Sequence, residues 1–168
     1  MTSDRKRDPA LSRPGSAELA RLWDDLADAV IIADPAGEIV LWNRAAERLF
    51  GWPAPEAIGQ TLDLIIPERL RDRHWTGYQQ VMETGQTSYG DRLLEVPAVH
   101  RDGRTLSVAF TVTLMTRPDN TIASIVAVLR DETARWNERR DLLAKLQSYN
   151  KPTRIESLES SGHEGPIR

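Results

Sequence analysis

One histidine stands where chemistry could be done. In the run PERLRDRHWTGYQQVMETG, residues Leu70, His74, Gly77, Tyr78, Val81 and Met82 recur at three- and four-residue steps and share one helical face. Arg69, Asp72, Arg73, Gln79, Gln80 and Glu83 fall mostly on the other. The pattern predicts a single helix from Pro67 to Gly85, with a proline in its first turn, the acidic Glu68 beside it and a glycine stop. An imidazole on the apolar face of such a helix points inward. There it can hold a bound group, or serve as a structural histidine hydrogen-bonded to a carbonyl.

The rest of the composition narrows what that group could be. The chain has 168 residues, 40% of them apolar and 28% charged, which is the balance of one globular domain with one core. Its formal net charge of -3 gives no electrostatic case for nucleic acid or an anionic membrane. No apolar run approaches the roughly 20 residues of a membrane helix, and the N-terminus lacks a signal-peptide core, so a cytoplasmic location is the default expectation. With 0 cysteines, disulfides, thiolate-bound metal, c-type haem attachment and a cysteinyl chromophore adduct are all excluded. No nucleophile lies beside a base, and there is no phosphate loop and no metal-spaced cluster of carboxylates and histidines, so the chain is not read as an enzyme.

The elements that must position His74 follow in order. Residues 1–15 mix charge, proline and glycine without period and read as a disordered lead-in. Ser16 is placed to cap an amphipathic helix over 16–28, with Leu19, Leu22, Trp23 and Leu26 on one side. Ala29 to Ala33 and Glu38 to Trp42 form a predicted hairpin around the turn Asp34-Pro35-Ala36-Gly37. Asn43 then caps a helix ended by Gly51, and Pro53 opens another short helical turn. Beyond the histidine helix, three strands are predicted, at Gly90 to Arg101, Arg104 to Thr116 and Thr121 to Leu129. The first places Arg92, Leu94, Val96, Ala98 and His100 on one side, and the second places Leu106, Val108, Phe110, Val112 and Leu114 on one face. Asp131-Glu132-Thr133 starts a last helix over 133–149 with the apolar stripe Trp136, Leu142, Leu143, Leu146 and Tyr149, and 150–168 reads as a disordered tail.

This order, with the segments WNRAAERLFGW, HRDGR and the closing DET, resembles the PAS (Per-Arnt-Sim) sensory fold across residues 29–132. The resemblance implies an α+β domain: a five-stranded antiparallel sheet with short helices on one face, flanked by an N-terminal cap helix and a C-terminal signal helix. The run PERLRDRH is similar to the haem-ligand segment of FixL-type oxygen-sensor PAS domains. By that resemblance His74 becomes the axial ligand of a b-type haem and Arg71 a partner for a propionate or a brace for the helix. Arg92 or Leu94 then stands near the bound diatomic gas, with Tyr78 on the pocket wall. A usual flavin photoreceptor is not expected, since its adduct needs a cysteine.

Three functions follow from these residues. The first is a haem sensor of a diatomic gas or of redox state, a homodimer through its terminal helices and sheet, with output through a partner in trans. The second is a cofactor-free dimerisation or interaction module in which His74 is a core residue. The third is a domain holding a small organic ligand, with Arg92 pairing a carboxylate; Arg92 could instead be an ordinary strand-edge residue. Trp42 and Trp52 are read as packing residues, His100 as exposed, and His163 as part of the tail.

Overall fold

The computed structural model describes residues 14–87 and 93–149. The lead-in before Pro14, the tail with His163, and Arg92 with the start of its predicted strand lie outside them. The chain divides into a domain ending at Ala134 and a second unit beginning at Arg135.

In the domain, α1 (Ser16–Asp25) precedes β1 (Ala29–Ala33) and β2 (Ile39–Trp42). Then come α2 (Arg44–Phe50), α3 (Ala54–Ala57) and α4 (Arg71–Thr84), followed by β3 (Leu94–Val99), β4 (Thr105–Thr116) and β5 (Ile122–Asp131). The five strands pair antiparallel in the order β2-β1-β5-β4-β3. This is the α+β fold that the sequence implied. Pro97 sits in β3, an edge strand, where its missing N–H disturbs the sheet least.

Strand register decides which residues face the helices. Ile31 stands opposite Ala127, Ala33 opposite Ile125, Val112 opposite Ala127, Phe110 opposite Leu129, and Val96 opposite Val108. These positions share one sheet face. The core forms where that face meets Ala45, Ala46 and Phe50 of α2, Ala57 of α3 and Ile65.

Asn43 ties three elements together and is fully buried. Its Oδ1 accepts from the N–H of Ala46, capping α2, and from that of Val30 in β1, each at 2.9 Å. Its Nδ2 donates to the carbonyls of Trp23 at 3.2 Å and Asp28 at 3.1 Å. The capture of those two carbonyls explains why α1 stops at Asp25 rather than running on to 28. Its start also differs from the sequence reading. Gly15, not Ser16, is the cap, because the Glu18 carboxylate reaches back 2.8 Å to the Gly15 N–H.

The histidine helix is likewise shorter than the predicted Pro67–Gly85. Its first turn, Glu68–Leu70, is 3-10, closed by a 2.8 Å bond from the Leu70 N–H to the Pro67 carbonyl, and α4 proper begins at Arg71. Gly85 ends it in the left-handed conformation, φ 67°. His100 corrects another expectation: its side chain is only 14% exposed, because the ring packs against Gly51 and its Nδ1 accepts from the Asp102 N–H. Trp42 is buried against Phe50 as expected, and its Nε1 donates to the Trp52 carbonyl.

The second unit contains most of α5 (Thr133–Tyr149), in which the Arg140 guanidinium lies over the Trp136 ring. Its Leu142, Leu143 and Leu146 are exposed. Among the described residues no helix is long and apolar enough to cross a membrane.

Candidate functional site

The sheet face just described does not close fully against α4. A cavity of about 130 Å³ remains, walled by Ile31, Val96, Val108, Phe110, Ile125 and Leu129 among others, with Ile65 and Ile66 beneath α4. His74 and Tyr78 are the two polar-tipped side chains among its described lining residues. The helical period that put them on one face in the sequence puts them on this wall.

Three rings in one turn of α4 meet there. The His74 ring lies 5.1 Å from that of Trp75, edge-on at 79°, and 5.7 Å from that of Tyr78, tilted at 37°. Trp75 and Tyr78 also touch each other edge-on at 5.5 Å. The polar ends of the two neighbours are both engaged. Tyr78 donates its hydroxyl to the Asp34 carbonyl at 2.5 Å, and Trp75 Nε1 donates to Asp63 Oδ1 at 2.8 Å.

His74 differs from both. Its Nδ1 is fully enclosed and has no hydrogen-bond partner. Burial holds the imidazole below its ordinary pKa, and the nearby Asp63 carboxylate only partly opposes that. The ring is therefore neutral at physiological pH. Burial, with the Asp34 charge adding to it, raises the Tyr78 pKa, so that hydroxyl keeps its proton.

Asp34 and Asp63 position this turn from two loops. Asp34 Oδ1 accepts from the N–H groups of Ala36 and Glu38 and so forms the hairpin turn. Gly37 in that turn has φ 83°, and a Cβ there would fall 2.3 Å from the Trp75 indole. The glycine is thus required twice, by the backbone and by the ring packed on it. Asp63 meets Arg71, whose Nε donates to the Ile66 carbonyl at 3.3 Å and whose Nη2 donates to the Asp63 carbonyl at 3.1 Å. The Arg71 guanidinium also pairs with the Asp63 carboxylate at 3.6 Å. Arg71 braces the loop that enters α4.

The five residues picked out in the sequence are therefore spread over different settings. His74 and Tyr78 come together on the cavity wall, and Arg71 lies one turn earlier on its loop. Leu94 opens β3 opposite Phe110, on the face of Val96 and Ala98 but outside the cavity lining. Arg92 lies outside the described residues. Sequence reasoning missed Ile125 and Leu129 of β5, where TIASIVAVL is apolar on both parities and alternation names no inner face. Gly37 and Asp63 were missed as partners of Trp75, since only the fold brings them to it.

Comparison with known proteins gives one consistent result. A family model described as the PAS fold matches residues 17–131. A protein of Azorhizobium caulinodans is 37% identical over 139 residues, 79% of this chain and 19% of its own length. The sensor protein FixL of Bradyrhizobium diazoefficiens is 44% identical over 62 residues, 37% of this chain and 12% of its own. The oxygen sensor protein DosP of Escherichia coli is 25% identical over 134 residues, 78% of this chain and 16% of its own. The chain thus spans less than a fifth of each of these relatives. Among solved structures, a PAS domain from Colwellia psychrerythraea superposes with a TM-score of 0.62 at 21% identity, covering 70% of this chain and 97% of that one.

Proposed function

The chain belongs to the PAS family and is a sensory domain of that fold, and from this we propose that its cavity binds b-type haem through His74. One observation carries the reading: a neutral imidazole is the one side-chain nitrogen donor among the described residues that line an otherwise apolar cavity. Its setting is the sequence run that resembles the haem-ligand segment of FixL-type sensors, and FixL and the oxygen sensor DosP are among the relatives. The donor chemistry fits, because a neutral imidazole is the form that ligates iron. When bound, haem would supply an axial position for a diatomic gas and a one-electron couple.

What the chain itself does follows from its own contacts. The cavity is slightly smaller than the roughly 150 Å³ engineered cavity that admits benzene. A macrocycle therefore requires α4 to move away from the sheet. That helix is held to the β1–β2 turn by Tyr78 and to the preceding loop by Trp75. Occupancy is thereby coupled to two loops and, through Ile125, Ala127 and Leu129, to β5, which leads to α5. Among the described residues, the wall formed by Val96, Phe110 and Leu129 is apolar and carries no hydrogen-bond donor. The domain acts as a homodimer. The exposed Leu19 and Leu22 of α1, with Met115 and Val128 on the outer sheet face, supply apolar surface for it.

The test is an absorption spectrum of the purified protein, as isolated and after haemin, then reduced and exposed to CO. A saturable Soret band at one haem per chain, shifted by CO and lost in His74→Ala, is expected. A saturable band that His74→Ala leaves unchanged removes His74 from the role. With no saturable band at all, the cavity's size favours the third function read from the sequence, a small organic ligand, here an uncharged one.

A further inference from the structure

A ligating histidine ordinarily donates its second ring N–H to a carboxylate or carbonyl, which fixes the plane of the ring. His74 has no such partner at Nδ1. What touches its ring is Trp75 on one side and Tyr78 one turn on. Both are pinned at their far ends, Trp75 on Asp63 and Tyr78 on the Asp34 carbonyl, and they brace each other. Gly37 leaves room for the indole, since a Cβ there would collide with it at 2.3 Å.

We propose that Trp75 and Tyr78 are the positioning residues of His74, their two pinned rings orienting the imidazole in place of a hydrogen-bond acceptor. The inference rests on the haem reading for its consequence, that the axial bond depends on ring contacts. Its structural content stands without haem. Tyr78 then has two separable parts. The hydroxyl ties α4 to the hairpin turn, and the ring orients His74. Gly37 acts on His74 at one remove, through Trp75.

The experiment compares wild type with Tyr78→Phe, Tyr78→Leu and Gly37→Ala, each titrated with haemin and examined in the ferric state by electron paramagnetic resonance. Tyr78→Phe keeps the ring and is expected to lower thermal stability while retaining the wild-type axial signal. Tyr78→Leu is expected to weaken haemin binding about tenfold, the lower end of the effect of losing an orienting partner, and to split the axial signal into several species. Gly37→Ala is expected to split the signal as well, although residue 37 does not line the cavity; it also serves if Tyr78→Leu does not fold. A merely structural role would move stability in all three and leave the axial signal single, which would overturn the proposal. If wild type shows no saturable haem band, or His74→Ala keeps the wild-type spectrum, the haem reading has failed instead. The imidazole resonances of the haem-free protein then decide. One ring environment in wild type and several in Tyr78→Leu support the clamp, and identical resonances in both overturn it.

Discussion

Two polar side chains in this domain, Asn43 fully buried and His74 half-buried, are treated in opposite ways. Asn43 sits at the junction of α1, β1 and α2 with four hydrogen bonds, which engage both its oxygen and its nitrogen. His74 lies on the wall of an apolar cavity with its Nδ1 enclosed and unpaired. A satisfied amide holds elements together, whereas an unsatisfied nitrogen costs about 1–3 kcal/mol in the ligand-free fold. The difference separates a structural knot from a polar atom that the ligand-free fold gains nothing by burying. Changing each residue should therefore move stability in opposite directions.

The largest effect belongs to Asn43. Replacing it with alanine strands the N–H groups of Val30 and Ala46 and the carbonyls of Trp23 and Asp28, and should cost about 4 kcal/mol in urea denaturation. Asn43→Asp keeps the acceptor and loses both donations, so its midpoint should fall between those of wild type and the alanine variant. Equal losses in the two variants would mean that the α1 exit contributes nothing.

Next in size is His74→Leu. It removes the unpaired nitrogen and fills the same space, so the haem-free domain should gain about 1–2 kcal/mol while its haem spectrum disappears. A loss of stability would break the contrast with Asn43 and make His74 a core residue whose polar atom matters to the fold. Ala127→Leu should gain about 1 kcal/mol by filling the cavity from β5, and should exclude haemin by occupancy alone. If haemin still binds that variant with wild-type affinity, its site is elsewhere.

Much of this was legible beforehand, for identifiable reasons. The face of α4 follows from 3.6-residue periodicity, and Asn43 was readable as a cap because a cap is a local signal. Its bonds to Trp23 and Asp28 were not, since they cross 20 and 15 residues of chain. The inner face of β4 could be read from its alternation, while that of β5 could not, because its residues are apolar on both parities even though Val128 on the outer face is exposed. Arg71 illustrates the limit most clearly. Its type and spacing allowed a propionate partner or a helix brace, and only the positions of Asp63 and Ile66 show it braced on the preceding loop.

The smallest effect is a pH dependence that separates the same two residues once more. Asn43 does not titrate, and the His74 pKa is held below its ordinary value by burial. Between that lowered value and the unfolded value near 6.5, the unfolded chain binds a proton that the folded domain refuses. Stability should therefore be fully present above about pH 6.5 and decline as pH falls below it. Subtracting the urea-denaturation profile of His74→Leu from that of wild type between pH 5 and 8 isolates this contribution, because the other groups are common to both. The stabilising effect of the substitution should widen toward acid. A difference that stays flat, or narrows as pH falls, would mean that the imidazole charges freely in the folded state, and an enclosed Nδ1 without a partner would then be untenable.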